Sequence, residues 1–246
     1  AVIKIFLKLG GAAYPESING TSLSDIKFIS GTPGTKYKID GNISMGNGWQ
    51  ISGADITGIV TNNGTSALGE RISNSKITGQ VHGSPDNLNF IVESDSIFSN
   101  AAVTMMTLYR GRWTGNYIYS SVAGYYEITN ILSSNTPSND IVSVVGNHFD
   151  VQGGGRTIGL WSNTQYVDVS NNFFRTHGSA NAVLYFRGLK LGSSPGNSSI
   201  NNTIHNDGYS SGYFFQIGPS YTISLLNNLL INCNYVLWNV GDISFT

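Results

Sequence analysis

Charge is scarce in this sequence. Lys, Arg, Asp and Glu account for 11% of the 246 residues, and 13 basic against 14 acidic residues leave a formal net charge of −1. Without a basic excess, no field attracts phosphate backbones or anionic lipid, so nucleic acid is not an expected partner. The opening AVIKIFLKLGG is apolar but too short to span a bilayer, so we expect no membrane insertion either.

Cysteine is almost missing. The one cysteine, Cys233, excludes an intrachain disulfide framework, and we interpret it as a small buried apolar residue. Stability outside a cell would then have to come from packing or from oligomerisation.

Small polar residues fill the chain instead. The sequence contains 27 Asn, 31 Ser and 30 Gly, residues that favour turns over long helices. Aromatic residues still make up 11% of the chain, together with many Ile and Val, so the composition is not that of a disordered segment. This balance predicts an all-β protein.

An internal repeat becomes visible when the chain is aligned on one apolar residue per unit. The anchors follow one another at intervals of 21, 20, 21, 31, 25, 30 and 26 residues, and they are Ile56, Ile77, Ile97, Ile118, Phe149, Phe174, Ile204 and Leu230. Two residues before the last five of these anchors stands an Asn, at Asn116, Asn147, Asn172, Asn202 and Asn228. Because Asn tolerates positive φ and its amide can hydrogen-bond along a stack, the pattern predicts a ladder at a sharp turn.

Short β-rich segments flank each predicted turn, and a further one completes each unit. In one repeat these segments are Tyr166–Val169, Phe173–Thr176 and Ala182–Arg187. Three strands in a unit of about 20 residues favour a single-stranded right-handed parallel β-helix with three short strands per coil and an Asn ladder at one turn. We predict a cap or lead-in segment at residues 1–25 and a β-helix domain at 26–246, as part of a longer parent chain.

The Asn ladder, the turns SNNFF and LNNLL and the segment YKIDGNISMGNGWQISG resemble the pectate-lyase-like β-helix superfamily, from about Ile26 onward. Within it, the low charge and the Ser, Gly and Asn content look most like bacteriophage tailspikes and capsule depolymerases. The resemblance implies an extracellular or virion protein that binds bacterial surface polysaccharide, cleaves it, and forms a homotrimer. It implies no cofactor and no metal here, because the clustered aspartates of calcium-dependent pectate lyases are absent.

Strand alternation places the residues on either side of each anchor on the outer surface, in columns that follow the stack. This brings His148, Asp150, Arg175 and His205 together, either as a surface ion pair of Asp150 with Arg175 or as a binding or catalytic site. We expect Arg156 also to be available for an acidic substrate.

Glycoside hydrolysis usually needs two carboxyl groups, and few are present. Our preferred pair is Glu127 with Asp150, since Glu127 lies in a third-strand segment, where clefts of the family commonly lie. Glu93 and Asp95 form a second candidate pair, although Asp95 takes the ladder position and could simply substitute for Asn.

Aromatic faces bind the apolar C–H surfaces of sugars. We expect Trp113, Tyr117 and Tyr119 to form one stacking patch, and we leave Trp161 and Tyr185 open between surface and core. The sequence thus favours recognition of bacterial surface polysaccharide with cleavage, by glycosidase more than by lyase chemistry. A non-catalytic adhesive spike and a structural β-helix remain the alternatives.

Overall fold

The computed structural model describes residues 3–7, 13–20, 22–30, 35–67, 69–122, 128–152, 156–177, 182–186, 188–191, 196–207, 213–217, 223–233 and 235–239. These residues form strands and no helix, in agreement with the all-β prediction. Accordingly, no helix in the described ranges could cross a membrane. In chain order β1 to β27, the strands are Ile3–Leu7, Ile18–Asn19, Ile26–Ser30, Tyr37–Asp40, Ile43–Met45, Gln50–Ser52, Ala54–Asn62, Glu70–Ser73, Lys76–His82, Phe90–Glu93, Ser96–Ser99, Met106–Leu108, Gly111–Thr114, Tyr117–Ser120, Thr129–Leu132, Ile141–Val145, His148–Gln152, Arg156–Trp161, Tyr166–Ser170, Phe173–His177, Ala182–Phe186, Ser198–Ile200, Thr203–Asn206, Tyr213–Ile217, Ser224–Leu226, Leu229–Ile231 and Tyr235–Asn239.

The strands form two curled sheets in which the named strands all pair in parallel. Sheet A contains the ten strands that precede the turn, in the order β1-β3-β6-β8-β10-β13-β16-β19-β22-β25. The other 17 strands form sheet B, which divides at β7 and β9 into two runs of paired strands. Within either sheet, each strand is bonded to the equivalent strand of the next repeat, as β14 is to β17 and β17 to β20.

The predicted anchors lie in one row along sheet B. Ile56 pairs with Ile77, and the register continues through Ile97, Ile118, Phe149, Phe174, Ile204 and Leu230. Every anchor up to Ile204 is fully buried, and the rings of Phe149 and Phe174 stack at 4.8 Å with an interplanar angle of 10°. The repeat read from the sequence is therefore confirmed as the register of the core.

The long strands β7 and β9 run through the position where later repeats break into two strands. Gly58 and Gly79 lie at this bend, with φ of 149° and 151°. A Cβ on Gly79 would approach the carbonyl oxygen of Gly58 to 2.0 Å, so the stacked backbones leave room only for glycine.

The Asn ladder forms as predicted. Each Oδ1 accepts hydrogen bonds from the Nδ2 and the backbone N of the previous ladder residue, at 2.9 to 3.0 Å, through Asn116, Asn147, Asn172, Asn202 and Asn228. Each Nδ2 also donates to a main-chain carbonyl of the strand before the turn, for example from Asn147 to Trp113 at 3.1 Å. The ladder therefore supplies hydrogen-bond partners to buried main-chain N–H and C=O groups at the turn.

The sequence predicted positive φ at the ladder residues themselves, and this prediction is wrong by one position. Positive φ occurs at the residue before each ladder position, at Gly53, Asn74, Ser94, Gly115, Gly146, Asn171, Asn201 and Asn227. That residue forms the corner, and its successor then directs a side chain inward. The two consecutive Asn of the SNN and LNN turns therefore have different roles, the first in the corner and the second in the ladder.

Asp95 occupies the ladder position of its repeat. Its Oδ1 accepts from the backbone N of Ser75 at 2.6 Å, whereas its buried Oδ2 has no hydrogen-bond partner. Burial raises the pKa of Asp95 to about 7, against an ordinary value of 3.8. A carboxyl group at this position therefore destabilises the folded protein relative to an amide, and the loss of stability is larger when the carboxyl group is ionised.

We expect Asp95→Asn to raise the free energy of unfolding by about 4 kcal/mol at pH 8 and to change it little at pH 4. Since the folded-state pKa is raised, the stabilising contribution of the protonated group is complete below 3.8 and is lost as pH rises to about 7. Urea denaturation at both pH values measures this. The exposed change Asp40→Asn is the control, and equal effects of Asp95→Asn at pH 4 and pH 8 would contradict the argument.

Candidate functional site

Sheet B presents the predicted outer columns on β14, β17, β20 and β23. Tyr119, Asp150, Arg175 and His205 are successive partners in register. In the second column, Ser96, Tyr117, His148, Phe173 and Thr203 follow one another. Both predicted columns therefore exist, one on either side of the buried anchors.

The column through Tyr117 and His148 forms a row of rings. His148 lies edge-on between Tyr117 and Phe173, with centroid distances of 5.0 and 4.8 Å. Phe98 extends the row, 6.0 Å from the Tyr117 ring and 6.1 Å from the Tyr119 ring. Lys76 Nζ lies 5.9 Å from the centroid of Phe98 at the far end. The row is half-buried, so it presents ring edges and faces along four neighbouring strands.

A cluster of charged side chains lies beside this row. His177 Nε2 is 2.6 Å from Asp150 Oδ1, and its Nδ1 is 3.7 Å from Asp207 Oδ2. Asp207 also accepts a hydrogen bond from Arg175 Nε at 2.5 Å and lies 3.1 Å from His205 Nε2. One imidazole therefore separates two carboxylates. We call Asp150, Arg175, His177, His205 and Asp207 the acidic cluster.

The predicted ion pair of Asp150 with Arg175 is not formed. Arg175 reaches forward to Asp207 instead, while Asp150 contacts His177 and lies 3.5 Å from the hydroxyl of Tyr117. Asp207 and His177 were both missed from the sequence. A signal was available, because His177 and Asp207 follow Arg175 and His205 by two residues and therefore lie on the same outer face.

The surroundings shift the pKa values of side chains in the acidic cluster and the ring row in different directions. The hydrogen bond from Arg175 lowers the pKa of Asp207, which favours its ionised form. Burial lowers the pKa of His148, which favours the neutral ring. Burial, followed by the charge of Asp150, raises the pKa of Tyr117. The site thus combines an anionic base with neutral hydrogen-bonding rings.

Three of the predicted site residues have structural roles instead. Trp113 is fully buried in the core, so it cannot belong to a surface patch with Tyr117 and Tyr119. Asp95 is 2% exposed within the ladder, and Glu93 forms an ion pair with Arg71 of the adjacent strand. The predicted Glu93 and Asp95 pair is therefore not placed to act on a substrate.

The third-strand candidates are only partly described. Trp161 is half-buried and meets Tyr185 edge-on at 5.3 Å, while Tyr185 is only 5% exposed. Glu127 lies outside the described residues. Arg156 begins β18, but its side chain is not among those that the structure describes. The preferred pair of Glu127 with Asp150 thus stays a prediction, and Asp207 is the carboxylate that the structure brings near Asp150.

No family model, curated protein or solved structure matches the chain. Among the described residues, no group of three or more His, Cys, Asp or Glu is arranged to hold a metal ion. The functional argument therefore depends on the chemistry of the ring row and the acidic cluster.

Proposed function

We propose that the chain is a single-stranded right-handed parallel β-helix with three strands per coil, of the kind found in the pectate-lyase-like superfamily. The parallel register of equivalent strands, the buried anchor row and the Asn ladder support this architecture. Stacking along one axis turns residues dozens of positions apart into neighbours. A long glycan could therefore lie along the outer columns.

The proposed ligand is a bacterial surface polysaccharide, bound on the outer face of sheet B. Rings of Phe98, Tyr117 and Phe173 offer apolar surface for sugar C–H groups, and Arg175 and His205 beside them offer hydrogen bonds to hydroxyl groups. This adjacency of a ring row and a polar cluster is the observation that carries the proposal. Such a protein would act outside cells or on a virion.

We further propose that the acidic cluster hydrolyses the bound glycan with inversion. The two carboxylates contact opposite nitrogens of His177, a separation that fits the roughly 6.5 to 9.5 Å of inverting enzymes better than the about 5 Å of retaining ones. Asp207, kept ionised by Arg175, would accept a proton from water, and Asp150, after receiving a proton through His177, would donate it to the leaving oxygen. His177 touches both groups and provides a route for the proton to return.

The test is incubation of the purified chain with a panel of capsular polysaccharides and lipopolysaccharides. Hydrolysis gives new reducing ends without unsaturated uronates, and we expect this product from at least one glycan. Unsaturated uronates would indicate a lyase instead. Binding without product would favour the adhesive spike, and neither binding nor product would favour a structural β-helix.

We also propose a homotrimer, on the resemblance to tailspikes. Sedimentation velocity at micromolar concentration tests this, and a monomer would exclude the trimer.

A further inference from the structure

A groove of about 480 Å³ lies on the outer face of sheet A, away from the ring row. Its lining combines two guanidinium groups with small polar and apolar side chains, among them Leu88, Asn89, Arg110, Arg112, Ile141 and Ser143. The volume falls within the roughly 300 to 1,000 Å³ of small-ligand sites. The groove is therefore large enough for a sugar residue.

Positive charge is concentrated at this groove. Arg110 forms an ion pair with Asp140, whose side chain is 67% exposed, while Arg112 is exposed and has no ion pair within the described ranges. Lys190 lies at the same edge, where it donates to the carbonyl oxygen of Ser138 at 2.6 Å. Arg110 and Lys190 both lower the pKa of Asp140. Two cations thus lie near the carboxylate of Asp140, and Arg112 lines the same groove, in a chain that is close to neutral overall.

The other carboxylates of this face are already engaged. Glu93 pairs with Arg71, and Asp168 accepts the hydroxyl groups of Ser170 and Ser198 at 3.1 and 3.0 Å. Neither of them neutralises Arg112. A negatively charged ligand would therefore supply the ion-pair partner for Arg112.

We propose that this groove binds a carboxylate-bearing sugar residue. The guanidinium of Arg112 offers the paired N–H geometry that carboxylates accept, while Asp140, which also lines the groove, balances the charge of Arg110. Asn89 and Ser143 supply hydrogen bonds for hydroxyl groups, while Leu88 and Ile141 supply apolar contact for the ring. The site is separate from the acidic cluster and does not depend on hydrolysis there.

Titration with sodium glucuronate, followed by saturation-transfer NMR, tests the proposal, with uncharged glucose as the comparison ligand. We expect saturable glucuronate binding, glucose binding at least about 10-fold weaker, and a loss of about 10-fold or more in Arg112→Gln. Lys38→Gln, an exposed change elsewhere, controls for net charge. Arg175→Gln measures any glucuronate binding at the acidic cluster, and the loss in Arg112→Gln is expected to exceed the loss in this variant.

Absence of saturable glucuronate binding would overturn the proposal. So would equal binding of glucose, or unchanged glucuronate binding in Arg112→Gln. A loss confined to Arg175→Gln would place the anion at the acidic cluster and also overturn it. Because none of these readouts involves cleavage, a failed hydrolysis test on sheet B leaves them unaffected.

Discussion

Asp207→Asn is expected to lower the rate of glycan hydrolysis by about 10²- to 10⁴-fold, the usual contribution of a general acid or base. Arg175 Nε contacts Oδ2 of Asp207 and His205 Nε2 contacts Oδ1, so the amide keeps one of these two acceptors, and glycan binding should persist better than hydrolysis. The capacity to accept a proton from water is removed. Initial rates of reducing-end release, together with a separate binding measurement, give the two quantities.

Asp150→Asn should cause a loss of the same order, because the acid and base act on one reaction. Asp40→Asn, an exposed change of the same chemistry, should leave the rate unchanged. NMR of the first product reports its anomeric configuration, and the separation across His177 predicts inversion. Full activity in Asp207→Asn, or a retained configuration, would remove Asp207 from the mechanism.

The anchor row and both outer columns were predictable because parallel strands stacked in register repeat the same inward and outward alternation in every unit. Once Ile118 and Phe149 are aligned, the pairing of Tyr119 with Asp150 and of Tyr117 with His148 follows from alternation alone. The contacts within the columns did not follow. Arg175 could reach either neighbouring strand, and its choice of Asp207 depends on side-chain reach that periodicity does not specify.

The misplaced Trp113 shows where alternation fails. Tyr117 and Trp113 are four residues apart, and the corner at Gly115, with φ of 65°, interrupts the strand between them. The inward or outward direction on one side of the corner therefore says nothing about the other side. Tyr185, which the sequence left open between surface and core, pairs with Gly159 and not with Trp161.

Asn147→Ala is expected to lower the free energy of unfolding by about 3 to 5 kcal/mol. The change removes the acceptor of two hydrogen bonds from Asn116, at 2.9 Å each, and the donor to the carbonyl oxygen of Trp113. These groups are buried, so water cannot replace the lost partner, and each unsatisfied group costs about 1 to 3 kcal/mol. Urea denaturation measures the loss, with exposed Asn63→Ala as the control.

Asn147→Asp distinguishes hydrogen bonding from packing at the same position. The carboxyl group fills the same volume and still accepts from Asn116, but when ionised it has no proton to donate to Trp113 O or Asn172 Oδ1. We therefore expect a loss that is large at pH 8 and shrinks in acid, as protonation restores one donor, whereas the loss in Asn147→Ala should be nearly independent of pH. Equal and pH-independent losses in both variants would mean that packing, and not the amide ladder, stabilises this turn.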